Sequence, residues 1–386
     1  MRIAIIIEEF PTLSETFIYV KVKQLALRGH ELFIFCNKKN QLLLIELFSG
    51  ITNLTVLTFS KRDAVLFVLT HPGIALQSLR EADKNKFVYG QYRVQLINRY
   101  NPGIIHFEFS GIGIAYNPLM PLLKGRKVVS CRGSGEKVKL LTDSTRKEKM
   151  VALFNQVNAI HCVSDDMKQT ILPYCSNPEK IFINYPSIDT VFFNRQKPYI
   201  KHDRVTILSI GRFTFQKGYL TGLQAIQRLK AKGYLFNWQI VGSGPQHEEL
   251  VFHIHQMQLQ DVVVLLGARK RPEVMALLEE ADMYFLPSVY EGIANVVLEA
   301  MSMQLPVVCT TSGGMEEVIT HGKNGLLSPV YDADSLADNL AVLVKDFELR
   351  KSLGVAARQR IVEQFDIQTQ VTRFETVYTQ IIQEQA

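Results

Sequence analysis

The sequence predicts an α/β fold of two domains, each built on a parallel sheet that helices cover. With 386 residues, the chain exceeds the size at which a single hydrophobic core keeps growing. Apolar β-type runs alternate with longer helix-period segments in two separate stretches, which is the pattern of parallel sheets. Residues 184–202 lie between them, aperiodic and rich in Pro, Asn, Tyr and Lys, and form the expected linker.

The predicted strands form two sets. Those of the first set are expected at residues 2–7, 31–36, 54–57, 104–107, 128–131 and 159–163. Those of the second set are expected at residues 205–210, 238–241, 262–266, 283–286 and 306–309. Each set fits a Rossmann-like domain, in which ligands bind at the carboxyl ends of the strands.

Helices are expected between the strands and at the end of the chain. Residues 14–28 and 86–100 have helical periodicity, and residues 335–385 are predicted to form consecutive helices. The first domain is therefore expected to cover residues 1–190, and the second residues 191–365.

The composition is that of an ordinary globular protein, with 47% hydrophobic and 21% charged residues. A net charge of +6, without an aromatic-basic stripe or zinc-type spacing, argues against a nucleic-acid partner. The five cysteines occur singly, which favours a reducing compartment and no structural zinc site. The first residues do not resemble a signal peptide, and the apolar stretches are too short or interrupted for a transmembrane helix. A cytoplasmic protein is expected.

The basic residues are concentrated in the first half of the sequence. Clusters occur at residues 38–39, 124–127 and 146–149. They fit peripheral contact with an anionic membrane at its inner face, or a lipid-phosphate acceptor. They fit a solvated protein surface equally well.

Two cations follow the predicted strand at residues 205–210. Gly211 and Arg212 begin a loop that continues to Lys217 and the start of a helix. An Arg fork and a Lys point charge at one strand end suit a diphosphate. Alternatively, both are surface residues beside glycine turns.

A second glycine loop follows the next strand and contains Gly242, Ser243 and Gly244. Glycines there would let backbone N–H groups approach a phosphate closely. The loop equally fits a tight turn from strand to helix. It lacks the full dinucleotide fingerprint, which argues against a nicotinamide-dependent dehydrogenase.

A pair of carboxylates follows the strand at residues 283–286. Glu291 is expected in a loop, and Glu299 in a helix that begins near Ala294 and directs its N-terminal amides at an anion. Among apolar neighbours, Glu299 needs hydrogen-bond donors, which two adjacent sugar hydroxyls would supply. The alternative is a Glu on the helix surface. The remaining loop and helix-start residues of the expected site are Gly292, Ile293 and Asn295.

These motifs resemble the retaining glycosyltransferases of the GT-B fold in family four. The seven residues between Glu291 and Glu299 match the family's signature, and Arg212 with Lys217 matches its Gly-Arg-x-x-x-x-Lys-Gly clamp. The second glycine loop and the linker motif at residues 187–193 are also similar. The loop at residues 10–18 resembles the subgroup that acts in colanic acid and related exopolysaccharide assembly.

The resemblance implies two Rossmann-like domains whose sheets face each other across a cleft, with a last helix of about residues 366–386 returning to the first domain. It implies retaining transfer of a sugar from a nucleoside-diphosphate sugar to a saccharide, lipid-linked or small-molecule acceptor, without a metal or other cofactor. Arg212 and Lys217 would stabilise the leaving diphosphate. Glu299 would hold the ribose and Glu291 the donor sugar, while Arg269 would border the base.

The first domain departs from the family at the end of its strand at residues 104–107. His106 and Glu108 stand where the family has His-x-His. Glu108 would accept a hydrogen bond from a sugar hydroxyl or act as a base, or one of the two is a buried and satisfied polar group. This departure also leaves open a catalytically silent, nucleotide-sugar-binding partner of a transferase complex.

Three further residues of the first domain are candidates for contact with acceptor or phosphate. Thr12 and Ser14 lie in the loop where relatives often place glycines, and Ser14 is expected to cap the following helix. Arg132 belongs to a turn that follows the strand at residues 128–131. The donor nucleotide, the sugar, the acceptor and the linkage stay open.

Overall fold

The computed structural model describes residues 1–12, 15–81 and 83–384. The chain divides into two compact units, Met1–Asn184 together with Gln370–Ala386, and Tyr185–Thr369. The change of unit after Asn184 comes slightly before the boundary at residue 190 that the sequence suggested. Each unit contains one large parallel sheet with its own core.

In the described part of the first unit, a seven-stranded parallel sheet has the order β5-β3-β1-β6-β7-β8-β9. β2 and β4 form a separate parallel pair. The strands are β1 (Arg2–Ile6), β2 (Glu9–Phe10), β3 (Glu31–Cys36), β4 (Lys38–Lys39), β5 (Leu54–Thr58), β6 (Ile104–Phe107), β7 (Arg126–Cys131), β8 (Ala159–Cys162) and β9 (Ile181–Ile183).

The helices between these strands cover the sheet. Polar side chains at Asn40, Ser60, Asp83 and Ser164 accept a hydrogen bond from the first turn of the helix that each precedes. The helices are α1 (Thr16–Leu27), α2 (Gln41–Phe48), α3 (Lys61–Thr70), α4 (Pro72–Ser78), α5 (Lys84–Arg99), α6 (Ser110–Ala115), α7 (Ser134–Lys137), α8 (Lys139–Thr142), α9 (Arg146–Gln156) and α10 (Asp165–Ile171).

The second unit repeats this design with a six-stranded parallel sheet of order β12-β11-β10-β13-β14-β15. Its strands are β10 (Val205–Ile210), β11 (Phe236–Val241), β12 (Val263–Gly267), β13 (Met283–Leu286), β14 (Val307–Thr310) and β15 (Leu326–Ser328). Its helices are α11 (Tyr219–Ala231), α12 (His247–Gln256), α13 (Arg271–Glu280), α14 (Asn295–Ser302), α15 (Met315–Val318), α16 (Ala333–Lys345) and α17 (Phe347–Gln364).

Both faces of the second sheet are buried. Ile207 and Leu208 are neighbours in β10 but belong to different core clusters, because successive side chains of a strand point to opposite faces. Trp238 is fully buried in β11, as the sequence predicted, and donates from Nε1 to Ser209 Oγ at 2.8 Å. Such strands occur where helices cover a parallel sheet on both sides.

The predicted linker is packed against the second unit. Ile188 and Phe193 are buried in its core. Asp189 Oδ1 accepts hydrogen bonds from the N–H groups of Val191 and Phe192, which closes a turn. Asp189 and Phe193 of the linker motif therefore have structural functions.

The last helix, α18 (Ile367–Gln383), returns the chain to the first unit, as predicted. Glu375 Oε1 lies 2.6 Å from His30 Nε2, and the same carboxylate pairs with Arg28. The buried rings of Phe374 and Tyr378 pack against His106 of the first unit. Among the described helices, none has the length and hydropathy that crossing a bilayer requires.

The predicted strands are confirmed to within a few residues at each end. The sequence missed β2, β4, β9 and β15, each of which has only two or three residues. Helix α1 begins at Thr16 with Glu15 in the N-cap position. Ser14 itself lies outside the described residues.

Candidate active site

Glu291 and Lys217 form an ion pair at the carboxyl end of the second sheet. Lys217 Nζ lies 2.7 Å from Glu291 Oε1, and the Ser288 hydroxyl donates to the same oxygen at 2.7 Å. The Glu291 residue is only 6% exposed. The structure therefore brings together two predicted site residues that are 74 positions apart in the sequence.

Glycines allow the loops around this pair to pack backbone against backbone. Gly218 has φ +64° and Gly313 has φ +60°. A Cβ at Gly218 would lie 1.9 Å from the carbonyl oxygen of Pro287, and one at Gly313 would lie 1.9 Å from that of Glu291. The position of Glu291 thus depends on two residues without side chains.

The second glycine loop packs against the first. A Cβ at Gly242 would lie 1.9 Å from the Gly211 carbonyl oxygen, and one at Gly244 would lie 2.5 Å from that of Phe213. The N–H of Gly242 already donates to the Gly267 carbonyl oxygen at 3.0 Å. The Gly242 N–H is therefore engaged within the protein, and the close approach that the missing side chain allows is to the neighbouring loop.

The start of α14 has backbone donors available to a ligand. Among the described residues, the N–H groups of Gly292, Ile293 and Ala294 find no hydrogen-bond acceptor. The side-chain oxygen of Asn295, the first helical residue, is buried without a donor. Amides at a helix N-terminus attract anions, and these four residues were predicted site residues.

Glu299 lies one turn further along α14, partly buried. Its carboxylate makes no hydrogen bond and no ion pair with the described residues. Burial raises its pKa to about 7, and the charge of Arg271 opposes the rise only partly. A buried carboxylate needs hydrogen-bond donors to stay charged, and the described residues supply none to Glu299.

Two further predicted cations lie at the surface of this region. Arg212 is exposed and forms no ion pair within the described chain. Arg269 follows β12, with Nε 3.7 Å from a Glu273 oxygen. Ser243 is also exposed. All three are accessible to a ligand.

Glu108 of the first unit is fully buried between two cations. One carboxylate oxygen pairs with Lys21, and the other accepts from Arg132 Nη2 at 2.7 Å. Although burial alone would raise the pKa of Glu108, the positive charges hold it well below its usual value. The expected contact with a sugar is therefore corrected, because both oxygens are occupied and none of the residue is exposed.

His106 is likewise a buried structural residue. Its Nδ1 lies 2.5 Å from Tyr378 Oη and its Nε2 lies 2.8 Å from Ser130 Oγ. This chain of hydrogen bonds continues from Ser130 Oγ to His161 Nδ1 and from His161 Nε2 to the Asn184 carbonyl oxygen. Burial lowers the pKa of His106 well below its usual value. His106 therefore fits the alternative of a buried and satisfied polar group, since both ring nitrogens already have partners.

A cavity of about 570 Å³ lies at the carboxyl ends of β1, β3, β6 and β7 in the first unit. Of the predicted site residues, Arg132 lines this cavity, whereas Thr12 does not. The sequence missed most of its polar wall, because these side chains lie on separate helices and loops. The charged residues in the lining are Glu8, Glu15, Arg93, Arg132, Glu136, Lys139 and Arg146.

Arg146 is part of this cavity rather than of a basic surface. It is 6% exposed, and it donates to the Gly135 carbonyl oxygen at 2.8 Å and to Ser110 Oγ at 3.0 Å. Ser110 in turn donates to the buried Glu136. Arg93 donates to Asn37 at 2.8 Å, in the same wall.

Two family models match consecutive parts of the chain. The model for glycosyltransferase family 4 matches residues 14–192, and that for glycosyl transferases group 1 matches residues 191–360. Together the two models span residues 14–360, so the chain carries a glycosyltransferase family 4 domain followed by a group 1 domain. The second model contains every predicted donor-site residue of the chain, from Gly211 to Glu299.

Sequence relatives of this chain include two proteins named for exopolysaccharide biosynthesis. It is 34% identical over 198 residues to a colanic acid biosynthesis glycosyltransferase of Salmonella typhimurium, covering 50% of this chain and 49% of the relative. It is 28% identical over 269 residues to the amylovoran biosynthesis glycosyltransferase of Erwinia amylovora, covering 68% and 66%. The chain thus spans about half the length of the Salmonella relative.

Solved structures share the fold, which is GT-B. Anabaena HepE, solved with UDP and glucose, has a TM-score of 0.78 at 16% identity and covers 98% of this chain and 100% of its own. Sucrose-phosphate synthase from Thermosynechococcus elongatus has a TM-score of 0.78 at 17% identity, with complete coverage of both chains.

Proposed function

We propose that this chain transfers a sugar from a nucleoside-diphosphate sugar to an acceptor, with retention of configuration, and that the second unit binds the donor. The supporting observation is the grouping of Lys217, Glu291 and the unoccupied amides at the start of α14, close to Glu299, a carboxylate without a partner among the described residues. A diphosphate and a ribose supply the complementary groups.

The diphosphate gains negative charge as its bond to the sugar breaks, and the electron pair of that bond goes to the phosphate oxygen. Arg212 and Lys217, with the amides of residues 292–294, are positioned at one sheet edge to stabilise this charge. Two side-chain cations supply the charge that a divalent metal supplies elsewhere. We therefore propose transfer without a metal cofactor.

The two carboxylates have different functions in this proposal. Glu299 accepts hydrogen bonds from the two ribose hydroxyls, which are adjacent donors that match one carboxylate. Glu291, fixed by Lys217 and Ser288, accepts from hydroxyls of the donor sugar. Arg269 borders the base, since it lies exposed in the loop after β12.

The first unit binds the acceptor in its cavity of about 570 Å³. Guanidinium groups and carboxylates that converge on one cavity, together with the ring of Tyr116, suit a saccharide with its alternating hydroxyls and apolar face. The two relatives named for colanic acid and amylovoran biosynthesis also favour a saccharide or lipid-linked saccharide acceptor in polysaccharide assembly.

A donor-binding screen and a turnover assay test the proposal. We expect UDP or GDP and their sugars to raise the melting temperature of the purified chain, because a ligand that binds only the folded state stabilises it. Acceptor saccharides should then release free nucleoside diphosphate. The screen begins with UDP-glucose, since UDP and glucose occupy HepE.

A matched pair of variants localises the donor site. Lys217→Gln should abolish stabilisation by the diphosphate, whereas Lys323→Gln, an exposed lysine of the same unit, should not. Stabilisation without turnover across a broad acceptor panel would favour the silent binding partner instead. Absence of both would contradict the proposal. Glu108 does not distinguish the two functions, since it is buried away from any ligand.

A further inference from the structure

Helices α3 and α4 of the first unit present large apolar side chains to solvent. Val65, Leu69, Leu76 and Leu79 are 65%, 75%, 68% and 66% exposed. Phe67 of α3 is buried, so this helix is anchored to the core while its other face is open. Val65 and Leu69 are one turn apart and adjoin on the helix surface, and adjoining exposed apolar side chains often mark contact with a membrane or another molecule.

A groove of about 680 Å³ lies beside these side chains, between α3 and the start of α5. Val65, Leu69 and Val88 contribute to its apolar wall. Among the described residues, no Asp or Glu lines it. The charged side chains in the lining are Lys61, Lys84 and Lys86.

The three lysine ammonium groups have no anionic partner within the described chain. None of them forms an ion pair. Of the nearby carboxylates, Asp83 caps α5 by accepting from the Lys86 N–H at 3.0 Å, and Asp63 and Glu81 lie outside the groove lining. The groove therefore combines an apolar wall with uncompensated positive charge.

This combination identifies the chemistry of the occupant. A lysine extends its methylene chain along apolar surface while its ammonium group reaches toward polar surroundings. An anionic bilayer offers hydrocarbon and negative head groups side by side in one plane, and short amphipathic helices bind there. Each lysine near such a surface contributes about 1 kcal/mol.

We propose that the surface formed by α3, α4 and the start of α5 docks this protein on anionic phospholipid, with the apolar side chains in the head-group boundary and Lys61, Lys84 and Lys86 against the lipid phosphates. The residues differ from the basic clusters in the sequence, one of which includes the buried Arg146. The proposal does not depend on transferase activity.

Vesicle co-sedimentation of the full chain tests this surface. We expect binding to phosphatidylcholine vesicles that contain phosphatidylglycerol, weaker binding as salt rises, and no binding to pure phosphatidylcholine. The variant Lys61→Gln/Lys84→Gln/Lys86→Gln should bind roughly 100-fold more weakly, given about a fivefold contribution from each lysine. Val65→Ser/Leu69→Ser should also lose binding.

Matched controls have the same changes elsewhere on the surface. Lys124→Gln/Lys147→Gln/Lys323→Gln removes three exposed lysines, and Leu141→Ser/Val355→Ser removes two exposed apolar side chains. Both should bind as the native chain does. Equal loss in these controls, retained binding in the groove variants, equal binding to neutral vesicles, or self-association through the groove without lipid binding would each overturn the proposal. A failure here leaves the donor-binding proposal unaffected.

Discussion

At the scale of single residues, a carboxylate's environment decides whether it is available to a ligand. Glu108 is held by Lys21 and Arg132 and has no free oxygen. Glu299 has no partner in the described part of the chain, and burial raises its pKa to about 7. The first is therefore a structural group, whereas the second is suited to receive hydroxyl donors.

The raised pKa of Glu299 predicts how donor binding depends on pH. Because the folded-state pKa lies above the unfolded value, the neutral carboxyl stabilises the donor-free fold at low pH, and this contribution is lost as pH rises through about 7. Ribose hydroxyls favour the charged form. Nucleoside diphosphate should therefore bind more tightly as pH rises from about 6 to about 8 in calorimetric titrations.

Glu299→Gln should remove that pH dependence and weaken binding roughly 10- to 100-fold at pH 8, since hydrogen bonds to a charged acceptor contribute about 1.5–3 kcal/mol. Its unfolding free energy at pH 8 should not fall, because no partner is lost. Glu280→Gln, an exposed carboxylate of the same unit, is the control. An unchanged pH profile in Glu299→Gln would rule out this function for the residue.

At the scale of elements, the donor-site loops are positioned by contacts between backbones. Gly218, Gly242 and Gly313 each occupy a place where a Cβ would lie 1.9 Å from a carbonyl oxygen of another loop. These contacts join the loops after β10, β11, β13 and β14 at one sheet edge. The ion pair of Lys217 and Glu291 forms across that junction.

Two glycines separate the effect of backbone conformation from that of close packing. Gly218 and Gly233 both have positive φ, 64° and 78°, but only Gly218 has atoms near its missing side chain. We expect Gly233→Ala to lower the unfolding free energy by about 1 kcal/mol. Gly218→Ala should lower it by about 3 kcal/mol, because the backbone must shift, and should abolish donor binding. Urea titration measures both, and equal effects would contradict the packing argument.

At the scale of the whole molecule, the chain completes its first unit with its last helix. Tyr378 and Phe374 of α18 lie against His106 and Lys21, which belong to elements formed much earlier in the chain. The buried polar groups of the first unit therefore depend on residues at the other end of the sequence. Removal of such partners leaves polar groups buried without hydrogen bonds.

A chain that ends at residue 366 should accordingly fail to fold its first unit. We expect little soluble protein and loss of the cooperative unfolding transition in circular dichroism. The hydrogen-bonded side chains around His106 and the ammonium group of Lys21 would lose the helix that covers them. Tyr378→Phe, which removes one hydrogen bond and keeps the ring, should fold and cost only about 1–2 kcal/mol. A truncated chain with the native melting temperature would show that α18 is dispensable.

The sequence by itself predicted the two parallel α/β units, the helical tail and the order of the donor-site motifs. Local periodicity carries this information, because strands and helices repeat over a few residues, and ligands of such sheets bind where strands end. The same rule assigned Glu291 and Lys217 to one sheet edge, whereas their ion pair and the close approach of the glycine loops to each other came from the structure.

Only the tertiary structure decided which polar residues are buried with partners and which are left open. Lys21 and Glu108 are 87 residues apart, and His106 and Tyr378 are 272 apart, so no local pattern reveals that they meet. The same holds for the cavity residues Arg93 and Arg146. Burial and pairing depend on how distant elements pack. Because of this packing, Glu108, a catalytic candidate in the sequence, is a buried structural residue in the fold.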